Sequence, residues 1–469
     1  MKENSLKRFL KIFDGDDDVK IRDINCGIKL TVVCLDTMVD DAKVSNYVLQ
    51  PLAYVKAAES LNEVRTKLAA GSVVVKIPNI ASAVENFTNG YTLIFDDSGC
   101  IAVDTRTTVG RSVIEPPTSM VLRGPREGFV EDLKVNLTLL RKRLKTANFK
   151  TVNMSVGKYT NTAVSVCYID GIADKAVVDH VTQQLQSITT DGIMDSSYLA
   201  RYLDTHKTAL FRRVGVTEKP DIAVAKMLEG RIAVVCDGSP MVLTVPYLFV
   251  EDLQSPGDYY ENSTMTAVSR TLRLISVLAS VLLPALYVCL QVYNYQIIPL
   301  KFLVTILNAS EAIPFSPMAE MLLVLIIFDI LREANLRMPS AVGISLSLVG
   351  AIVLGDAAVK AGLLGAPAVM IGALSGIGLF TLPDNTLVLS LLRLGITFLG
   401  GLMGLLGVTL ALMATLLYMS SLQFAKTPYL APFAPNIPQD RQDAVGQNPV
   451  PEMTKRPRSI PTDNKTRRG

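Results

Sequence analysis

The spacing of apolar positions divides the chain into two kinds of segment that meet near residue 271. From about residue 20 to 262, short β-branched runs (29–35, 72–77 and 91–95 among them) alternate with stretches whose apolar residues recur at helical spacing. That rhythm predicts an α/β region. Within it the pattern repeats. Val33-Cys34-Leu35-Asp36, followed by Val39-Asp40-Asp41 and a helical stretch, is echoed by Val166-Cys167-Tyr168-Ile169-Asp170 and then Ile172-Ala173-Asp174. Leu93-Ile94-Phe95-Asp96-Asp97-Ser98-Gly99 is echoed at a similar offset by Ala233-Val234-Val235-Cys236-Asp237-Gly238-Ser239. The repeat predicts two related subdomains, each holding a strand–helix unit and a hairpin closed by an Asp/Gly/Ser turn. A basic helix is expected between them at 127–145, with Arg141, Lys142, Arg143 and Lys145 gathered at the end where cations suit the helix dipole.

Beyond Thr271 the pattern changes. Residues 272–293 carry no charge except Arg273, and the stretch is long enough for a hydrocarbon layer that takes about 20 helical residues to cross. Segment 298–309 is too short to cross and reads as a half-helix or interfacial piece, whereas 318–334 and 341–364 are long enough. Segment 366–382 is marginal, and 386–421 fits one tilted span or a tight hairpin, with Arg393 inside it. Arg270, Arg273, Arg332, Arg337 and the basic tail (Lys426, Lys455, Arg456, Arg458, Arg467, Arg468) place both termini on the cytoplasmic side. The fold class expected is therefore an α/β cytoplasmic region of two related subdomains plus a polytopic α-helical membrane domain. The boundaries fall at 1–150, 151–265, 266–425 (four to six crossings) and 426–469, the last a disordered cytoplasmic tail too poor in apolar residues to form a core.

Composition sharpens this picture. A chain of 469 residues exceeds one ordinary core. Its mean hydropathy of +0.34 averages two solvents, because the charged residues crowd into the first 270 positions and the last forty. A net charge of +3 from 46 basic and 43 acidic residues gives no basic face for nucleic acid. The six cysteines are scattered singly and read as small buried hydrophobes in a reducing compartment; with only His180 and His206 in the chain, neither at ligand spacing, no metal site is expected. The N-terminus runs from basic residues into Asp14 to Asp18 without an apolar core, so no secretory signal is expected there.

No motif supports an enzyme, and no cofactor is expected. A G-x-x-x-x-G-K loop is missing, and Cys236-Asp237-Gly238-Ser239 reads as a turn. Arg123-Gly124-Pro125-Arg126-Glu127-Gly128-Phe129 either cradles an anion or forms a rigid turn. Asp356 and Lys360 stand one helical turn apart within an apolar run, and Gly343, Ser347 and Gly350 make a stripe of small or weakly polar positions. That stripe fits either close helix packing or a wetted lining. Gly400, Gly404 and Gly407 form a second small-residue seam, read as packing.

Several segments in order resemble the GerA family, the A subunits of bacterial spore germinant receptors. They are Glu115-Pro116-Pro117, the run from Val121 to Phe129 with Arg123, Gly124, Pro125, Arg126, Gly128 and Phe129, Asn136, Lys219-Pro220-Asp221, Leu228-Glu229-Gly230-Arg231, Asp237-Gly238-Ser239-Pro240, Asp258-Tyr259-Tyr260, Leu282-Leu283-Pro284, Ile330-Leu331-Arg332-Glu333-Ala334 and Pro428-Tyr429-Leu430-Ala431-Pro432. Departures stand at Ser119, Lys219, Asp356 and Lys360, the last two altering charge along the suspected lining. The resemblance implies a multi-pass protein of the spore inner membrane that assembles as a homo-oligomer, contacts membrane lipid, and works with a transporter-like B subunit and a lipoprotein C subunit. It also implies a nutrient-gated ion conduit. A non-conducting scaffold that clusters germination proteins, and the A-like protein associated with dipicolinate release, fit the same residues.

Overall fold

The computed structural model describes residues 4–55, 58–107, 123–204, 209–311, 313–337, 352 and 355–467. Two five-stranded sheets form the first half. The first contains β1 (Val19–Asn25), β2 (Lys29–Leu35), β3 (Val74–Ile77), β4 (Tyr91–Phe95) and β5 (Cys100–Asp104) in the order β1-β2-β4-β5-β3. The second contains β6 (Phe149–Val156), β7 (Thr162–Ile169), β8 (Gly215–Thr217), β9 (Ile232–Cys236) and β10 (Val242–Val245) in the order β6-β7-β9-β10-β8. The two orders correspond strand for strand, and every pairing is antiparallel. The sequence echoes fall on equivalent strands, β2 with β7 and β4 with β9.

Period-two alternation sends apolar residues to both faces of each sheet. In the first, Val33, Leu35, Leu93 and Phe95 meet Phe9 and Phe87 of α1 (Asn4–Ile12) and α5 (Ile80–Thr88). Leu30, Val32, Ile94 and Ile101 meet the helical run of α2 (Asp41–Val44) and α3 (Gln50–Tyr54), joined by a π turn, and α4 (Leu61–Leu68). In the second sheet one face packs on α7 (Lys175–Gln186) and α8 (Ser196–Leu203), the other on α6 (Leu133–Arg143) and α9 (Pro220–Leu228).

Helix α6 is the link between the units, and its basic end is not simply solvated. Arg141 is buried and holds the carboxylates of Asp16 and Asp18 at 2.8 and 2.7 Å, while Asp16 also accepts from the Thr151 hydroxyl at 2.8 Å. Burial raises the Asp18 carboxyl above its ordinary value despite the opposing pull of Arg141. The ion cluster pins the first subdomain to the second.

The helical half comprises α10 (Ser263–Val292), α11 (Leu300–Ser310), α12 (Pro317–Arg337), α13 (Ala366–Leu379) and α14 (Thr386–Ser421). Among the described residues two stretches are long and apolar enough to cross a membrane, Ser263–Val292 and Pro383–Ser421. The second is not one rod. Gly404 has φ +61° and ψ −145°, and a Cβ placed on Gly400 would stand 2.9 Å from Val408. Val388 and Leu392 share an apolar cluster with Tyr418 and Met419. The helix therefore doubles back at Gly404, and its arms, 386–403 and 405–421, lie antiparallel at roughly 27 Å each. The hairpin alternative for this segment is the one the chain adopts. Tyr293, just past α10, donates from its hydroxyl to the carbonyls of Gly401 (3.1 Å) and Leu402 (2.6 Å), which the bend leaves without helical partners.

The tail beyond 425 departs from expectation. Tyr429, Ala431, Ala444, Met453 and Ile460 are buried, and the chain pairs with the second subdomain where Ala173 bridges Thr462 and the Asp463 amide donates to the Ile172 carbonyl. The expected disorder rested on the tail's inability to build a core of its own. It orders by sharing one, covering Leu248 and Val250.

Candidate functional site

Three groups of residues singled out by the sequence occupy different places. Glu115, Pro116, Gly343, Ser347 and Gly350 lie outside the described residues. Asp356 and Lys360 belong to a helical segment, 355–360, and form an exposed ion pair of 2.6 Å with 60% and 74% of their side-chain surfaces open. They are the charged members of the suspected lining, and they point away from the rest of the chain.

The segment from Arg123 to Phe129 is a strap. Its Phe129 amide donates to the Glu218 carbonyl (2.8 Å), and the buried Lys219 ammonium donates to the Pro125 carbonyl (2.9 Å). Gly128 and Phe129 are buried. At Gly124, φ is +117° and the Tyr260 ring presses so close that a Cβ would stand 2.7 Å from it, which explains the glycine on both conformational and steric grounds. Arg123 reaches Glu261 at 3.3 Å with most of its surface exposed, and Arg143 holds Glu127 at 2.7 Å. The rigid-turn reading of this motif accounts for these contacts. It ties the end of the first unit to the segment that enters α10.

That entry is itself clamped by charge. Asp258 receives both Nη atoms of Arg273 (2.7 and 2.8 Å), Nε of Arg270 (3.1 Å) and the Ser255 amide (3.0 Å). Arg270, fully buried one helical turn earlier, also donates to Asp443 and to the Ala444 carbonyl, each at 2.9 Å. Burial by itself would raise the Asp258 carboxyl, yet the bonds from Arg273 and Arg270 outweigh it and hold the group below its ordinary value. A second clamp joins the α/β half to the start of α14, where Arg212 bridges Asp252 (3.4 Å) and Asp384 (2.8 Å) and Tyr247 donates to Asp252 (2.6 Å). Ion pairs thus connect the α/β half to the starts of α10 and α14.

Inside the helical half lies a polar cluster that sequence reading passed over. Arg393 of α14, fully buried, donates to Asp329 of α12 (2.9 Å) and to Ser375 of α13 (3.0 Å), whose hydroxyl in turn donates to the Ser280 carbonyl of α10 (2.6 Å). Ser390 donates to the other Asp329 oxygen, and Arg332 stands 3.3 Å from the first. Four helices meet there. Glu333, the neighbour of Arg332, instead makes an exposed pair with Arg337 at 2.8 Å. Ser390, Arg393 and Thr397 recur at steps of three and four, a legible polar stripe in an apolar run. The partners of Ser390 and Arg393, however, lie 18 or more positions away.

Close packing accompanies the cluster. The Gly365 amide donates to Glu320 (2.6 Å), and a Cβ on Gly372 would collide with Val324, so α12 and α13 run side by side in the same direction. Among the described residues no group of histidine, cysteine or acidic side chains has the makings of a metal site. The six cysteines are unpaired and, apart from the half-buried Cys34, buried.

Comparison with known proteins finds relatives over nearly the whole chain. The family model for the Bacillus/Clostridium GerA spore germination protein matches residues 7–459. Spore germination protein KA of Bacillus subtilis (strain 168) is 33% identical, covering 97% of this chain and 86% of that protein. Spore germination protein B1 of the same strain is 29% identical over 98% of each, and its uncharacterized membrane protein YfkQ is 32% identical over 97% of this chain and 90% of that one. Among solved structures, the N-terminal domain of the A subunit of the Bacillus megaterium spore germinant receptor GerK3 aligns with 52% of this chain and 94% of that one at 25% identity, with a TM-score of 0.40.

Proposed function

The chain belongs to the GerA family of spore germination proteins, and from that membership we propose that it is the A subunit of a germinant receptor that oligomerises in the spore inner membrane into a nutrient-gated ion conduit. In this reading the α/β half and the tail are cytoplasmic and the helices from α10 onward lie in the bilayer. A transporter-like B subunit and a lipoprotein C subunit complete the receptor. Exposed apolar side chains support the embedding: Leu272, Ile275 and Leu278 on α10, Leu374 and Ile377 on α13, and Leu391, Leu402, Leu410 and Leu417 on α14 are each about half open or more. Such a surface is costly in water and at ease among acyl chains.

The observation that carries the conduit is the Asp356–Lys360 pair. Charged groups at bilayer depth face a bundle interior or water, because facing lipid costs several kcal/mol. This pair turns outward from its own bundle, beside the exposed Ile352 and Leu363. A second copy across a wetted axis gives it an environment that lipid does not. The run 343–360 would then line the path, with Gly343, Ser347 and Gly350 allowing width and Asp356 and Lys360 setting charge.

Flux of monovalent cations from liposomes holding the assembled receptor tests the reading. Asp356→Asn and Lys360→Gln are expected to change selectivity or conductance severalfold in opposite directions. Unchanged selectivity and conductance in both, with Ser347→Ala also silent, removes this lining. Complete absence of flux from an oligomer that assembles normally favours the non-conducting scaffold, which the glycine-mediated packing at Gly372 and Gly400 also serves.

A further inference from the structure

The polar cluster between α12 and α14 carries more positive charge than it balances. Arg332 and Arg393 both pair with Asp329, through the same carboxylate oxygen, and Ser390 occupies the other. Among the described residues Asp329 is the carboxylate that either guanidinium meets. The sequence from 338 to 354 adds no acidic residue. One positive charge is left over in a place where Arg393, Ser375, Ser390 and Thr397 are almost wholly enclosed.

The surplus is also one of donors. Among the described residues Nε of Arg393 and the Thr397 hydroxyl have no hydrogen-bond acceptor, and Nη1 of Arg332 faces, at 3.3 Å, the same Asp329 oxygen that Arg393 already holds. Thr397 lies one helical turn beyond Arg393, on the same face of α14. A buried lysine or carboxylate in this position would neutralise itself by shifting its pKa. Arginine does not lose its proton in proteins, so the compensating charge must come from outside the side-chain set. A water would satisfy a donor but leave the charge.

We infer that Arg332, Arg393 and Thr397 form a binding site for one anionic group, either a free monovalent anion such as chloride or the phosphate of an acidic lipid. Arg332 supplies the doorway, since its side chain is 15% exposed whereas Arg393 is fully enclosed. Basic pockets between membrane helices take lipid headgroups in this manner, and a desolvated guanidinium pair binds an anion far better than one in water. An occupied site gives α12 and α14 a shared ligand in addition to Asp329, which already joins them. This inference stands apart from the conduit, and either can fail without the other.

The full-length protein, purified in detergent and in nanodiscs, gives the test. Thermal unfolding is followed at fixed ionic strength as chloride replaces gluconate, and separately as phosphatidylglycerol replaces phosphatidylcholine. A saturable rise of a few degrees with chloride identifies a free anion; a rise confined to phosphatidylglycerol identifies a lipid phosphate. Arg332→Gln removes the surplus charge while leaving the Arg393–Asp329 pair, and it is expected to fold and lose the response. Thr397→Val is expected to weaken it by a factor of several in apparent affinity. The inference is overturned if neither substitution of medium moves the wild-type transition, or if Arg332→Gln responds as the wild type does.

Discussion

At the residue scale, buried charges distinguish this molecule. Arg141, Arg231, Arg270 and Arg393 are each nearly or fully inaccessible; Arg141, Arg270 and Arg393 meet a carboxylate from a distant part of the chain, and Arg231 meets the nearby Glu229 and Glu251. Removing one partner of such a pair leaves the other charge uncompensated, which is why these sites are sensitive. Asp258→Asn, which leaves Arg273 without a carboxylate, is expected to lower stability by roughly 3 kcal/mol at neutral pH. The sign of its pH dependence follows from the depressed carboxyl of Asp258. A carboxyl that is more acidic in the folded chain stabilises it fully above its unfolded value, about 3.9, and that contribution disappears as pH falls through the lower folded value. The gap in melting temperature between wild type and Asp258→Asn should therefore be full at pH 7 and close below about pH 4. A gap that stays constant to pH 3 contradicts the assignment.

At the element scale, the decisive feature is the reversal within α14. An apolar run of this length is read as one rod unless something breaks it, and here a single glycine does. Gly404 adopts the left-handed region at φ +61°, and Tyr293 lies 3.0 Å from where its Cβ would be. A side chain pays for the conformation and meets the ring as well, so Gly404→Ala is expected to cost about 2 kcal/mol, and Gly404→Leu more. Tyr293→Phe removes only the hydroxyl bonds to Gly401 and Leu402, with an expected loss near 1 kcal/mol. Unfolding in nanodiscs measures both, and a neutral Gly404→Leu would mean that α14 runs straight. The remaining elements followed local rules. Asp40, Ser60, Asn79, Asp132, Asp174 and Asp195 each cap a helix through a side-chain oxygen, as their positions before apolar runs predict.

At the scale of the whole molecule, the tail joins the second sheet unit to the helices that follow. It leaves α14 beside the second subdomain, supplies Asp443 to Arg270, and ends with Arg456 donating to the Leu228 carbonyl (2.7 Å) at the C-terminal end of α9, where a cation is favoured. Truncation after residue 437 is expected to raise amide hydrogen exchange at 226–231 and 248–260, leaving the first sheet unchanged. Equal exchange in both forms would show that the tail is an ornament. The strands, their repeat and the apolar stretches were legible in the sequence because periodicity is local: neighbours along the chain decide it. The family motifs were legible for the same reason. The shared strand order, the bend at Gly404, the ordering of the tail and the cluster of Asp329, Ser375, Ser390 and Arg393 were decided only by tertiary structure. Each depends on groups brought together from tens or hundreds of positions apart, and a charge reveals its role only once its partner, or its lack of one, is fixed by packing.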